Sequence, residues 1–341
     1  MRVAVYHHNR DIRIEERPVP AIGPEEILLR VRASGVCGSD VMEWYRVPRA
    51  PLVLGHEVVG EVAAIGEKAS VPPGTAVGTR AFVSHHVPCL ECRYCRAGHE
   101  TVCDTLRKTN FDPGGFSEYV RLPAVNVRHG FFPLPDEVSF DRGAFVEPLG
   151  CTVRGQRAVG VVRGDTVLVL GSGLTGLLHI QLARARGATV YATDPVEFRR
   201  KAALTAGAVE AFDSREDIPK RFRETHGRPA DRVIVCTGAA PAIAQALRSV
   251  DRGGSILFFA PTDPGREIPL PLNELWHDEV TLTNSYGAAP RDIRESMELL
   301  RSGAVPVETL ITHRLPLDQA AEAFRLTAEA GDSLKVLLLI P

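Results

Sequence analysis

Between residues 165 and 284 the apolar positions follow two alternating rhythms. Short continuous runs, such as Thr-Val-Leu-Val-Leu at residues 166–170, suit strands covered on both faces. After that run, Leu174, Leu177, Leu178, Leu182 and Ala185 recur at helical spacing, and Gly187 ends the helix they predict. The alternation continues through predicted strands at 189–193, 211–213, 232–236, 255–259 and 280–284, with helices at 197–206 and 241–250. That is the pattern of a doubly wound parallel sheet.

Ahead of it the chain is richer in strands. They are predicted at 2–6, 12–16, 26–33, 56–65, 80–85, 115–122 and 124–127, punctuated by Pro18, Pro20, Pro72, Pro73 and Gly74. Residues 141–159 read as a helix with a possible break at Pro148. Past Gly287 come a helix at 292–302, a short strand at 313–315, a helix at 318–330 and an apolar strand at 334–340. This tail is too short for a domain of its own and is expected to rejoin the N-terminal part. The fold class expected is α/β: a β-rich domain from residues 1–150 and 288–341, and a doubly wound domain from 151–287.

The first helix of the doubly wound part opens on Gly171, Gly173 and Gly176 in G-x-G-x-x-G order, and Asp194 ends the next predicted strand. A tight turn, close approach of backbone to a pyrophosphate and close helix–strand packing require the three glycines in turn. The helix N-terminus adds unpaired N–H groups and the positive end of its dipole. Three glycines alone also fit an ordinary β-α-β turn. With the strand before and the acid after, they predict a dinucleotide site. The Asp194 carboxylate can accept from both ribose hydroxyls and would repel a 2′-phosphate, which favours NAD over NADP. Arg199 and Arg200 follow closely and could meet such a phosphate.

Composition narrows the classes. The chain of 341 residues is 44% hydrophobic and 24% charged, with net charge -2, so nothing favours nucleic acid or an anionic membrane as partner. No apolar run approaches a membrane span, and the charged N-terminus lacks a signal-peptide core, which points to the cytoplasm. Four of the 7 cysteines crowd into Cys89, Cys92, Cys95 and Cys103. In a reducing compartment that spacing argues for a metal. Four thiolates close a tetrahedral zinc shell with no open position, a structural staple. An iron–sulfur cluster is the competing reading.

Three further stretches hold metal-ligand types: Cys37 with Ser39 and Asp40, His56 with Glu57, and Glu147 before Pro148. Each alone reads equally well as a core histidine, a surface carboxylate or a helix N-terminal acid. Together with GHEVVGEV, GGFSEYV and VEPL, the four-cysteine lobe and GSGLTG, they make the whole chain resemble a zinc-dependent medium-chain dehydrogenase of the sorbitol (polyol) and threonine dehydrogenase branch. The resemblance implies a GroES-like catalytic domain with a Rossmann NAD domain inserted, and two zincs, one catalytic and one structural. It implies catalytic-zinc ligands Cys37, His56 and one or both of Glu57 and Glu147, with Ser39 carrying the alcohol proton away. It also places the nicotinamide cofactor on Leu174 and Thr175 at the pyrophosphate turn, and on Thr237, Ala260, Ser285 and Tyr286 at strand ends. The activity implied is hydride transfer between a small-molecule secondary alcohol, polyol or sugar-like, and NAD, in a homodimer or homotetramer joined through residues 280–284.

One departure from the family matters. Many relatives carry a His three residues past this Ser; here it is Met42, which cannot pass a proton. The relay would then end at the cofactor ribose, at water, or at His85 or His86. The departure weakens an amino-alcohol or threonine-type reading, which stands as the alternative. A zinc-free enone reductase or a non-catalytic nucleotide sensor on the same scaffold would lack Cys37 and His56. Trp44, Tyr45 and Phe111 are candidate pocket residues, and Arg46 and Arg49 could meet an acidic substrate.

Overall fold

The apolar run Thr166–Leu170 is a strand buried along its whole length. A computed structural model describes all 341 residues, and they fall into two units. The unit holding this strand comprises Cys151–Gly287 and Ala304–Pro306. Its six strands are all parallel, in the order Glu210–Asp213, Thr189–Asp194, Thr166–Leu170, Ala230–Val235, Val250–Phe258 and Thr281–Asn284. Val169 sits between Ala192 and Ile234 in register. The strand order reverses beside Thr166–Leu170, where a doubly wound sheet opens its crevice at the carboxyl ends of the strands. Leu168, Leu170, Tyr191, Phe212, Phe222, Val233 and Ile256 form one core cluster.

Within this unit, His179 on the helix Leu174–Ala185 is wholly buried. Its Nδ1 lies 3.4 Å from Gln156 Nε2, and its Nε2 has no partner. Burial, then the charge of Arg186, holds its pKa down to about 3. The unfolded chain therefore binds a proton below about pH 6.5 that the folded chain refuses. His179 contributes no pH dependence above that value; stability falls as pH drops from there towards 3. At pH 5 the expected loss is about 2 kcal/mol. Urea midpoints at pH 7.5 and 5.0 should differ less in His179→Leu than in the parent chain, and an unchanged difference would refute this assignment.

The other unit comprises Met1–Gly150, Ala288–Gly303 and Val307–Pro341. Its larger sheet runs Ile311–Pro316, Lys335–Leu339, Ile27–Val36, Glu57–Ile65, Arg80–Val83 and Phe131–Pro133, with Tyr119–Leu122 also paired to Ile27–Val36. The late strand Lys335–Leu339 is antiparallel to Ile27–Val36. A smaller sheet holds Asp11–Glu16, Arg2–His8 and Leu52–Val53. Between them Val3, Tyr6, Leu29, Val58, Phe116, Phe324 and Leu338 share a core.

Several elements differ from the sequence expectation. Residues 124–127 are not a strand but start the helix Ala124–Gly130. Pro123 ends the preceding strand, and buried Asn126 donates to the carbonyls of Ser84 and His85 at 2.9 and 2.8 Å, contacts no local pattern encodes. The helix expected at 141–159 is two, Phe140–Gly143 and Val146–Ala158. The break precedes Pro148, which falls in a first turn where its missing N–H costs nothing. The helix Ile218–His226 was not anticipated, although Asp217 caps it, Pro219 lies in its first turn and Gly227 ends it at φ 90°. No helix is long and apolar enough to cross a membrane.

Candidate active site

Cys37 follows the strand Ile27–Val36 and His56 precedes the strand Glu57–Ile65. These strands are antiparallel, with Gly35 opposite Glu57, so the ends carrying Cys37 and His56 meet. One ligand atom each from Cys37, His56 and Glu57 lies within 4.8 Å of the others. Cys37 Sγ accepts from the Ser39 N–H and hydroxyl, both at 3.5 Å. His56 Nδ1 faces the Asp40 carboxylate at 3.3 Å, leaving Nε2 for a metal. Asp40 is fully buried, and its second oxygen accepts the Cys37 N–H at 3.1 Å. Asp40 thus braces two of the three groups, a role the sequence reading did not assign.

Glu57 is completely buried. Its Oε2 accepts from Lys335 Nζ, an ammonium equally buried, which also donates to the Val36 carbonyl at 3.4 Å. Its Oε1 is buried without a partner. A side chain at Gly35 would run into Glu57 Oε2 and the end of Lys335, so a glycine here makes room for the pair. Thiolate, imidazole and carboxylate with one orphaned oxygen fit zinc. Glu147 is buried in the first turn of Val146–Ala158 and is not one of the three clustered groups.

The one group that accepts from the Ser39 hydroxyl is Cys37 Sγ. The Ser39 carbonyl and hydroxyl accept from Arg46, Nε at 2.9 Å and Nη2 at 3.2 Å, and the same Nη2 lies 3.3 Å from Asp40 Oδ1. His85 packs its ring on His56 and His86, with centroids 4.9 and 3.9 Å apart. Burial, followed by the charges of His56, Arg46 and Arg49, holds His86 down to about 4, so it is neutral at pH 7. A base that weak is a poor end for a proton relay. Phe111 is buried beside His85 (6.2 Å between rings), whereas Trp44 is largely exposed.

Cys89, Cys92, Cys95 and Cys103 form a second group within the same 4.8 Å criterion. Cys89 Sγ accepts from the N–H of Glu91 at 3.5 Å and of Cys92 at 3.3 Å, which lowers its pKa towards the thiolate a metal needs. The lobe has almost no apolar content beyond Leu106. The chemistry of four such sulfurs fits a closed zinc shell.

In the unit of the parallel sheet, Gly171 has φ +94° and turns the chain out of Thr166–Leu170. Gly173 caps the helix Leu174–Ala185, and a Cβ there meets nothing within 4 Å. A Cβ at Gly176 would overlap the Gly171 carbonyl oxygen. Thr175 touches the Cys236 thiol, which burial pushes up to about 12. The Thr237 hydroxyl accepts the Ala239 N–H at 3.3 Å, and Ala260 donates its own N–H to Val235. Ser285 carries a buried hydroxyl with no partner, while Tyr286 is largely exposed. Asp194 is buried, and its oxygens accept the Ser172 and Val196 N–H groups, each at 2.9 Å. Each oxygen keeps one lone pair for a ribose hydroxyl, fewer than the open carboxylate expected from sequence. Arg200 is engaged by the Asp194 and Pro195 carbonyls (both 2.9 Å) and by Asp213 (3.4 Å), which removes it as a ready phosphate partner.

Comparison with known proteins agrees across the chain. Residues 23–136 match the alcohol dehydrogenase GroES-like domain, and residues 175–302 match the zinc-binding dehydrogenase domain. The sorbitol dehydrogenase of Bacillus subtilis (strain 168) is 30% identical over 99% of this chain and 97% of its own. The L-threonine 3-dehydrogenase of Caldanaerobacter subterraneus subsp. tengcongensis is 32% identical over 98% and 97%. A protein assigned as a zinc-binding dehydrogenase from Sinorhizobium meliloti 1021, solved bound to NADP, superposes with TM-score 0.88 at 28% identity, covering 99% of this chain and 98% of that one. The chain belongs to the zinc-dependent medium-chain alcohol dehydrogenase family, in the company of its polyol and threonine dehydrogenases.

Proposed function

We propose that this protein is a zinc-dependent oxidoreductase that moves hydride between a secondary alcohol of the polyol or sugar type and NAD. The observation that carries the reading is the convergence of Cys37, His56 and Glu57, braced by Asp40 and Lys335. In this reading residues 1–150 with the tail form the catalytic domain, and residues 151–287 bind the nucleotide. Zinc supplies the Lewis acidity that eases loss of the carbinol proton, and the nicotinamide takes or returns the hydride. Cys37 and His56 would hold the metal, with Glu57 or Glu147 as the carboxylate partner. Asp40 would keep the His56 ring turned, and Ser39 would take the proton; Met42 cannot pass it on, so it would be released to water. Leu174, Thr175 and the three glycines would cradle the pyrophosphate, with Asp194 and Arg199 at the adenosine ribose. Ser285, whose hydroxyl lacks a protein partner, would meet the carboxamide end with Tyr286, Ala260 and Thr237 near by.

The edge strand Thr281–Asn284 has one side unpaired in the sheet order, which supports a homodimer or homotetramer. Cytoplasmic residence accords with the cysteine chemistry. NAD is the expected cofactor and NADP its competitor. Metal analysis together with absorbance at the reduced nicotinamide band, over a panel of secondary alcohols with NAD and NADP side by side, tests the whole reading. Two zincs per chain and NAD-dependent turnover are expected. Bound nucleotide without metal or turnover would identify a sensor instead.

A further inference from the structure

Arg46 does more than an ordinary loop arginine. Its side chain is only 13% exposed, although it lies on a short surface helix of four residues, Glu43–Arg46, with no fully buried residue. One edge of its guanidinium is spent on the Ser39 carbonyl, the Ser39 hydroxyl and Asp40. Its face lies over the Tyr45 ring at 4.5 Å, and Arg49 lies over the same ring at 4.8 Å. The remaining nitrogen, Nη1, has no protein partner and is not sealed from solvent. A guanidinium is rigid and planar, so Nη1 stands one nitrogen away from the group bonded to the Ser39 hydroxyl. A ligand that reaches Ser39 therefore reaches Nη1 within a few carbons.

Neither Arg46 Nη1 nor Arg49 is paired with a carboxylate. Asp40 is shared among Arg46, His56 and the Cys37 N–H; Glu43 accepts the Asn9 N–H at 3.0 Å; Glu57 is held by Lys335. Arg49 has no carboxylate within ion-pair distance. A neutral polyol gives two stacked cations nothing to do.

Resting on the zinc-dehydrogenase reading above, we propose that the preferred substrate is a hydroxycarboxylate of the sugar-acid type. Its carboxylate is bound by Arg46 Nη1 and Arg49, while a nearby carbinol reacts beside Ser39. The reaction balances as hydroxy acid and NAD+ giving keto acid, NADH and a proton; the carboxylate is unchanged. Arg46 is then both a positioning residue for Ser39 and the determinant of specificity.

The test compares matched pairs differing only at one end, sorbitol with gluconate, galactitol with galactonate and xylitol with xylonate, on the zinc-loaded enzyme. The aldonate should exceed its polyol in kcat/KM on the order of 10- to 100-fold, the worth of one charged hydrogen-bonded pair. Added salt should raise KM for the acids alone. Arg46→Met should collapse the ratio, Arg46→Lys should keep part of it, and the exposed Arg49→Met should lower it several-fold without altering zinc content. Calorimetry without nicotinamide should show aldonates binding the parent chain more tightly than Arg46→Met. Polyols turned over as well as their acids, or a ratio unmoved in both methionine variants, would overturn the proposal. Turnover of no alcohol at all would count against the zinc-dehydrogenase reading, and the calorimetric difference would still decide this one.

Discussion

Lys335→Met is expected to lower the stability of the zinc-bearing unit by on the order of 3–5 kcal/mol. Lys335 and Glu57 are both wholly buried and bonded to each other. Removing the ammonium leaves a carboxylate sealed from water with neither oxygen paired, because Oε1 has no partner even in the intact chain. The cost is that of an uncompensated buried charge, not of a lost attraction. Lys335→Met with Glu57→Gln should therefore recover much of the loss, since a neutral amide needs no counter-charge. Thermal and urea midpoints of the two variants against the parent measure this. A single variant no weaker than the double would show that the ion pair is not what the fold depends on. Zinc content should also change in the single variant, because Lys335 fixes which Glu57 oxygen is available.

Gly176→Ala should weaken binding of the nicotinamide dinucleotide on the order of 100-fold while leaving zinc content intact. Its Cβ would overlap the Gly171 carbonyl oxygen, so the turn that offers its N–H groups must shift. Gly173→Ala is the informative companion. It has φ −69° and open space around a Cβ, so the free protein should fold unchanged. Any loss of affinity there reports the direct approach of backbone to the pyrophosphate. Calorimetric titration of NAD separates the two. Equal and full affinity in both variants would remove this turn from the cofactor site.

What the residues revealed in order was mostly local. The apolar run at 166–170, the three glycines and the helix Glu197–Ala206 are visible because each depends on neighbours a few positions away. The four-cysteine lobe is legible for the same reason. The groups missed act at long range. Nothing near Lys335 marks it as the partner of a carboxylate 278 residues earlier; an isolated lysine in an apolar strand is the only hint. Asp40 was visible beside Ser39, but its hold on His56 depends on two strands meeting. Arg46 was legible as a cation that could meet an acidic substrate, but its hold on Ser39 and Asp40 was not, because sequence carries no measure of burial. The helix Ala124–Gly130 was misread because Asn126 is held by the Ser84 and His85 carbonyls, partners 42 and 41 residues away that no local pattern encodes.

The position of Lys335 in the chain also sets an order of events during synthesis. The ribosome delivers Cys37, His56 and Glu57 first, then the parallel-sheet unit, and only after it the strand Lys335–Leu339. Until that strand joins Ile27–Val36, the nascent metal site contains a carboxylate without its counter-charge, beside an open sheet edge. The parallel-sheet unit is nearly continuous in sequence and can fold as soon as it emerges. Completion of the unit that holds Glu57 thereby waits on a strand 278 residues further along, so a product cut before Lys335 would carry a folded parallel-sheet unit and a Glu57 carboxylate without its counter-charge.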